Sequence, residues 1–136
     1  MELSTHLQFN GQCATAFRFY EQCLGGRIVA LLTHGETPAK DQVAADWQDK
    51  VIHARLVVGN KALMGCDAPS PHYAPPRGMQ VSLSVATQAE AERIFNALAE
   101  DGKVTMPFQR TFWSPGFGMA VDRFGIPWMI NTEQAA

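Results

Sequence analysis

The sequence predicts an α+β fold in which a strand-helix-strand-strand-strand module occurs twice, and three observations carry that prediction. Two amphipathic stretches, 12–24 and 88–101, are each preceded by one short strand-like run and followed by three more. A shift of 76 residues places Leu7-Gln8-Phe9 on Leu83-Ser84-Val85 and Gly26-Arg27-Ile28 on Gly102-Lys103-Val104, while a shift of 65 places Leu63-Met64 on Trp128-Met129. The chain has 136 residues, 46% hydrophobic and 18% charged, enough for one core and too apolar for a disordered segment. A single domain over 1–136 is expected, built from a first module of about 1–68, a connector at 69–77 and a second module of about 78–136.

Taken in chain order, the first strand is expected at 6–9. A helix over 12–24 follows, with Cys13, Ala16, Phe17, Tyr20 and Leu24 recurring at three- and four-residue spacing. Asn10 is placed to cap its start and Gly25 to end it. Strands are expected at 27–32, 51–58 and 62–66. The two repeat shifts differ by 11 residues, which locates extra chain in the first module, most simply at 34–50. That segment is long for a strand connection and reads as either a mobile loop or a lid. Residues 68–76 hold four of the eight prolines and form a stiff connector. The second module opens with a strand at 79–86. Its helix, 88–101, buries Ala91, Ile94, Phe95 and Leu98, with Thr87 and Glu90 as a capping box and Gly102 as the stop. Strands at 104–108, 117–121 and 126–131 complete it.

Composition excludes several function classes. The net charge is -2 and no Lys/Arg cluster is present to neutralise a phosphate backbone, so nucleic acid is not an expected partner. No apolar run reaches the ~20 residues that span a bilayer, and the N-terminus lacks a signal-peptide pattern, so the expected location is the cytoplasm. Cys13, Cys23 and Cys66 are an odd set without CxxC spacing, which reads as reduced, buried thiols. No GxSxG, P-loop, dinucleotide fingerprint or HExxH occurs.

Strand alternation separates an apolar face from a mixed one. Leu7 and Phe9 oppose His6 and Gln8, and Ala54 and Leu56 oppose His53 and Arg55. Likewise Val81, Leu83 and Val85 oppose Gln80, Ser82 and Ser84, and Trp128 and Ile130 oppose Met129 and Asn131. The mixed face is a ligand site if it curls into a trough, and a wetted surface or dimer contact if it is flat. His53 and Arg55, two apart in a strand, point into the same space and suit an anion such as a carboxylate or phosphonate. An internal ion pair or interface contact is the competing reading. Trp113 and Phe117 flank Ser114-Pro115-Gly116 and form either an aromatic wall or core filling. Asp67 and Asp122 sit beside turn signals and read as turn or edge residues, Trp128 reads as core, and His34 and His72 read as solvated loop residues.

Phe19-Tyr20 with Leu24-Gly25-Gly26, and Asp122-Arg123-Phe124-Gly125-Ile126-Pro127-Trp128-Met129-Ile130-Asn131, together with the doubled module, resemble the vicinal oxygen chelate superfamily of glyoxalase I, bleomycin-resistance proteins and extradiol dioxygenases. Within it, Thr111-Phe112-Trp113, Phe117-Gly118, the final stretch, and His53-Ala54-Arg55-Leu56 followed by Leu63-Met64 and Asp67 resemble the PhnB-like branch. The resemblance covers nearly the whole chain. It implies two modules forming a curved, cup-like mixed sheet with helices on the convex side, usually completed by a homodimer, with the mixed face as cavity.

In metal-using members the resemblance implies ligands of His, Gln or Glu type on the first and last strand of each module. Those positions fall here on Thr5 or His6, near Met64, on Gln80 or Ser82, and on Met129. Thioethers are soft ligands, poorly matched to oxygen- and imidazole-preferring divalent ions, which leaves His6 and Gln80 as the metal candidates. The expectation is therefore a protein that binds a small, anionic or oxygen-rich molecule without a complete metal site and with no cofactor. Its expected ligand-binding residues are His6, Gln8, His53, Arg55, Gln80, Ser82, Trp113, Phe117, Met129 and Asn131. The alternative is a lyase, isomerase or dioxygenase dependent on divalent Zn, Ni, Mn or Fe, with a shifted ligand set that includes His6 and His53.

Overall fold

The computed structural model describes residues 1–133; positions 134–136, the end of the expected second module, lie outside the described residues. The chain divides into two compact units, Met1–Pro75 and Pro76–Ala136. Each repeats one plan.

In the first unit, β1 (Thr5–Phe9) leads into helix α1 (Cys13–Leu24), followed by β2 (Arg27–Thr33), β3 (Val51–Val58) and β4 (Lys61–Asp67). The four strands form a mixed sheet in the order β1-β4-β3-β2, with β1 parallel to β4 and the other pairs antiparallel. α1 lays Cys13, Ala16, Phe17, Tyr20 and Cys23 against Leu7, Phe9, Ala54, Leu56 and Leu63, all buried. Phe9, Phe17 and Tyr20 meet ring to ring at 6.0 to 6.4 Å, so aromatic contacts fix the helix on its sheet.

In the second unit, β5 (Val81–Val85), α2 (Gln88–Ala99), β6 (Lys103–Gln109), β7 (Phe117–Val121) and β8 (Pro127–Thr132) repeat the arrangement in the order β5-β8-β7-β6. Ala91, Ile94, Phe95 and Leu98 of α2 are buried with Ala120, Ile126, Trp128 and Ile130. The fold is therefore α+β, with two four-stranded mixed sheets and one helix packed on each. Among the described residues no helix is long and apolar enough to cross a membrane.

The repeated glycines have a steric cause. A Cβ on Gly26 would press into the Val57 carbonyl, and one on Gly102 into the Val121 carbonyl. In each unit the chain leaving the helix passes directly over a neighbouring strand, which is why the shift of 76 pairs glycine with glycine.

Three local expectations are corrected. Asn10 does not cap α1; its N-cap is Gln12, with no side-chain cap bond, and the Cys13 N–H donates instead to Asp67 Oδ1 at 2.9 Å. Gly102 does not supply the turn after α2, because the left-handed residue is Asp101, at φ 59. At the other end of that helix, Thr87 Oγ1 accepts from the Glu90 N–H as expected, while the Glu90 carboxylate turns to Arg93. Finally, His34 is not solvated: within 34–50, which holds three 3-10 turns, His34–Glu36, Pro38–Gln42 and Ala45–Trp47, both its ring nitrogens are buried without a partner among the described residues.

Asp122 follows β7 in a turn, as expected, whereas Asp67 is not a turn or edge residue but the last residue of the interior strand β4; both are buried acceptors. Asp67 takes the N–H groups of Gly11, Cys13 and Val51, each at 2.9 Å. Asp122 takes those of Phe124 at 2.8 Å and Ile126 at 3.0 Å and the Trp128 indole N–H at 2.8 Å.

Candidate functional site

With Leu7 and Phe9 turned to the core, β1 exposes His6 and Gln8 on the opposite face. On β3, Ala54 and Leu56 face α1, which turns the half-buried His53 and Arg55 to that same open face. β4 lies between these strands, and register places Met64 beside both His6 and Arg55. The Arg55 guanidinium reaches across it: Nη1 is 3.7 Å from Met64 Sδ and Nη2 is 3.5 Å from Glu2 Oε1. The Glu2 side chain is 70% exposed, so this counter-ion sits in water and holds Arg55 weakly.

Burial, and next the charge of His53, push the His6 pKa below its ordinary value. The two side chains stand on strands that flank β4. Burial first and Asp67 second push the Cys66 thiol up, and Cys13 is raised for the same reasons in the same order, so neither is a thiolate nucleophile at neutral pH.

The His6 shift has a signed consequence. As pH falls below 6.5 the unfolded chain takes up a proton at His6 that the folded chain refuses, so stability is full above that value and declines toward the depressed folded pKa. A melting-temperature series from about pH 7.5 to 5 is expected to fall less steeply in His6→Gln than in the parent. Parallel curves would contradict it.

In the second unit, Ser82 and Ser84 of β5 are exposed, and register sets them beside Met129 and Asn131 of β8. Asn131 Oδ1 is buried with no partner among the described residues. The strand expected to begin at 79 begins at Val81, so Gln80 leaves the alternation. Gln80 lines a cavity of about 480 Å³ with Arg77, Met79, Pro127 and Met129. Trp113 is 44% exposed and stacks edge-on against Phe117, at 5.4 Å, and Phe112, at 4.7 Å. Phe117 is buried beneath it. Phe112, 95% exposed, extends this aromatic ladder, and sequence reasoning missed it because a loop carries no periodicity.

Among the residues at the metal positions that the resemblance implies, register sets His6 beside Met64 and Ser82 beside Met129. An imidazole beside a thioether in the first unit, and a hydroxyl beside a thioether in the second, do not fit a hard divalent ion. Among the described residues there is no group of three or more His, Cys, Asp or Glu placed to hold a metal.

Comparison with known proteins bears on the whole chain. The sequence family described as 3-demethylubiquinone-9 3-methyltransferase matches residues 1–131. Protein YjdN of Escherichia coli (strain K12) is 35% identical over 139 residues, covering 96% of this chain and 95% of that one. The crystal structure of protein PA1353 from Pseudomonas aeruginosa is 50% identical, with a TM-score of 0.88 and 99% of each chain covered. A PhnB protein from Bacillus cereus is 25% identical with a TM-score of 0.81, covering 98% of this chain and 100% of that one. At 12% identity and a TM-score of 0.65, a glyoxalase/bleomycin resistance protein/dioxygenase family enzyme from Burkholderia phytofirmans PsJN shares the fold over 95% of each chain.

Proposed function

Since the chain belongs to the 3-demethylubiquinone-9 3-methyltransferase family, which includes PhnB-like proteins, we propose that it binds a small anionic or oxygen-rich molecule on the open sheet faces, without turnover and without a metal. The supporting observation is the Arg55 guanidinium: it lies on the open face of the first unit, is flanked by His53 and His6, and its carboxylate partner among the described residues is the exposed Glu2. An incoming carboxylate or phosphonate exchanges with Glu2, a water-exposed partner, and gains a fork of N–H donors. Gln8 serves as a further hydrogen-bonding group on that face; on its own open face the second unit offers the hydroxyls of Ser82 and Ser84, with Trp113 and Phe117 as an aromatic wall.

A thermal-shift screen of carboxylates and phosphonates supplies the test. Arg55→Ala is expected to weaken every anionic hit by about tenfold or more, the scale of one lost charge-assisted pair. Hits that stabilise the variant as they do the parent would remove Arg55 from the site. We also propose a homodimer, to be checked as a doubled mass in light scattering at micromolar concentration, with a monomer mass contradicting it. Three cysteines outside any disulfide, two of them buried, suit the reducing cytoplasm as its location.

A further inference from the structure

The open face of the second unit carries a feature that ligand capture by Arg55 does not use. Register aligns Met129 of β8 with Met119 of β7, and Met119 with Met106 of β6, so three methionines on adjacent strands form one row. Directly paired residues share a sheet face. This one lies opposite α2, since Ala120, Trp128 and Ile130 are buried on the other side. The row is not an accident of alternation along β6. That strand breaks register on both sides of Met106, between Val104 and Met106 and again between Met106 and Gln109, and bulges of this kind re-aim a side chain.

All three methionines are half-buried, accessible without being free in water. Neighbouring strands are about 4.8 Å apart, so the flanking Cα atoms lie roughly 10 Å from each other with Met119 midway. A thioether on a flexible, unbranched side chain can lean several ångströms, enough for the outer sulfurs to close on the central one. Charge separates this row from the one in the first unit. There the Met64 sulfur already faces the Arg55 guanidinium, which repels any cation. The row here ends instead on the Ser82 hydroxyl.

We propose that Met106, Met119 and Met129 form a site for a soft monovalent d10 cation, Cu(I) or its redox-inert analogue Ag(I). Three neutral thioethers in a half-buried, largely apolar setting select soft ions over Zn(II), Mn(II) or Fe(II), which prefer nitrogen and oxygen. Of the three, Met129 stands at a strand position where the resemblance implies a metal ligand, and its thioether changes the class of ion that position can hold.

The test is a titration of the full chain with silver nitrate in chloride-free buffer, followed by NMR of methyl-13C-methionine. Cys66→Ser is used as the parent because Cys66 is the half-exposed thiol, whereas Cys13 and Cys23 are buried. One equivalent is expected to move the methyl resonances of Met106, Met119 and Met129 together, while Zn(II) moves none. Met119→Leu, a near-isosteric change that keeps the fold, should lower Ag(I) affinity by about tenfold or more, and Met64→Leu should leave it unchanged. Unmoved resonances at two equivalents, a Met119→Leu variant that titrates like its parent, or a loss confined to Met64→Leu would each overturn the proposal.

Discussion

Replacing Asp67 with alanine is expected to destabilise the first unit by about 3–5 kcal/mol, because one carboxylate serves three separate pieces of chain. Oδ1 accepts from Gly11 in the turn after β1 and from Cys13 at the start of α1, and Oδ2 accepts from Val51 at the start of β3. The first two positions form the N-terminal end of a helix without a side-chain cap of its own, where donors are unpaired and negative charge is favoured. Alanine leaves buried N–H groups without acceptors, each costing about 1–3 kcal/mol less whatever entering water restores. Asp67→Asn retains the shape but substitutes an NH2 for one acceptor oxygen, so it should lose about half as much. Chemical denaturation monitored by far-UV circular dichroism measures both. A loss below about 1 kcal/mol for Asp67→Ala would mean that the three bonds are not the tie they resemble. Since the same tie anchors β1 and β3, the strands of His6 and Arg55, anion capture should weaken along with stability.

Asp67 also shows where sequence reading stops. Both helices, all eight strands and the repeat were legible because they rest on periodicity and local turn chemistry, and β3 and β7 fall at their expected residues, 51–58 and 117–121. The cap of α1 was placed on Asn10, a neighbour in sequence, whereas the acceptor comes from the far end of β4, 54 residues beyond Cys13. Nothing local announces such a partner. The same distinction holds for the site. His6, Gln8, His53 and Arg55 could be assigned to one face by alternation within their strands, and the structure agrees. The choice between Gln80 and Ser82 could not be made, since it turns on whether β5 starts at 79 or 81, and the pairing of Ser82 with Met129 belongs to register across the sheet. The methionine row escaped for a related reason: bulges interrupt the alternation of β6, so Met106 joins Met119 and Met129 only after the strands are paired. The clue available beforehand was that the positions implied for hard-metal ligands included two thioethers, Met64 and Met129.

In the second unit the largest effect is expected at Asp122. Its Oδ1 closes the β7-β8 turn through the Phe124 and Ile126 N–H groups, and its Oδ2 holds the indole N–H of the fully buried Trp128. Asp122→Ala should cost about 3–5 kcal/mol, for it opens the turn and strands an indole donor in an apolar core. Trp128→Phe alone should cost less, about 1–3 kcal/mol: the ring stays largely filled, but the carboxylate loses one partner while keeping two. The double variant separates the two contributions. With no indole N–H left to orphan, Asp122→Ala in the Trp128→Phe background should cost about 1–2 kcal/mol less than in the parent, a coupling typical of directly bonded groups. Additive losses would show that the indole bond contributes nothing and that the turn alone accounts for the effect of Asp122. A coupled result would instead make Asp122 the point at which the turn before β8 and the core beneath it are fastened together, and with them the strand that carries Met129 and Asn131 to the open face.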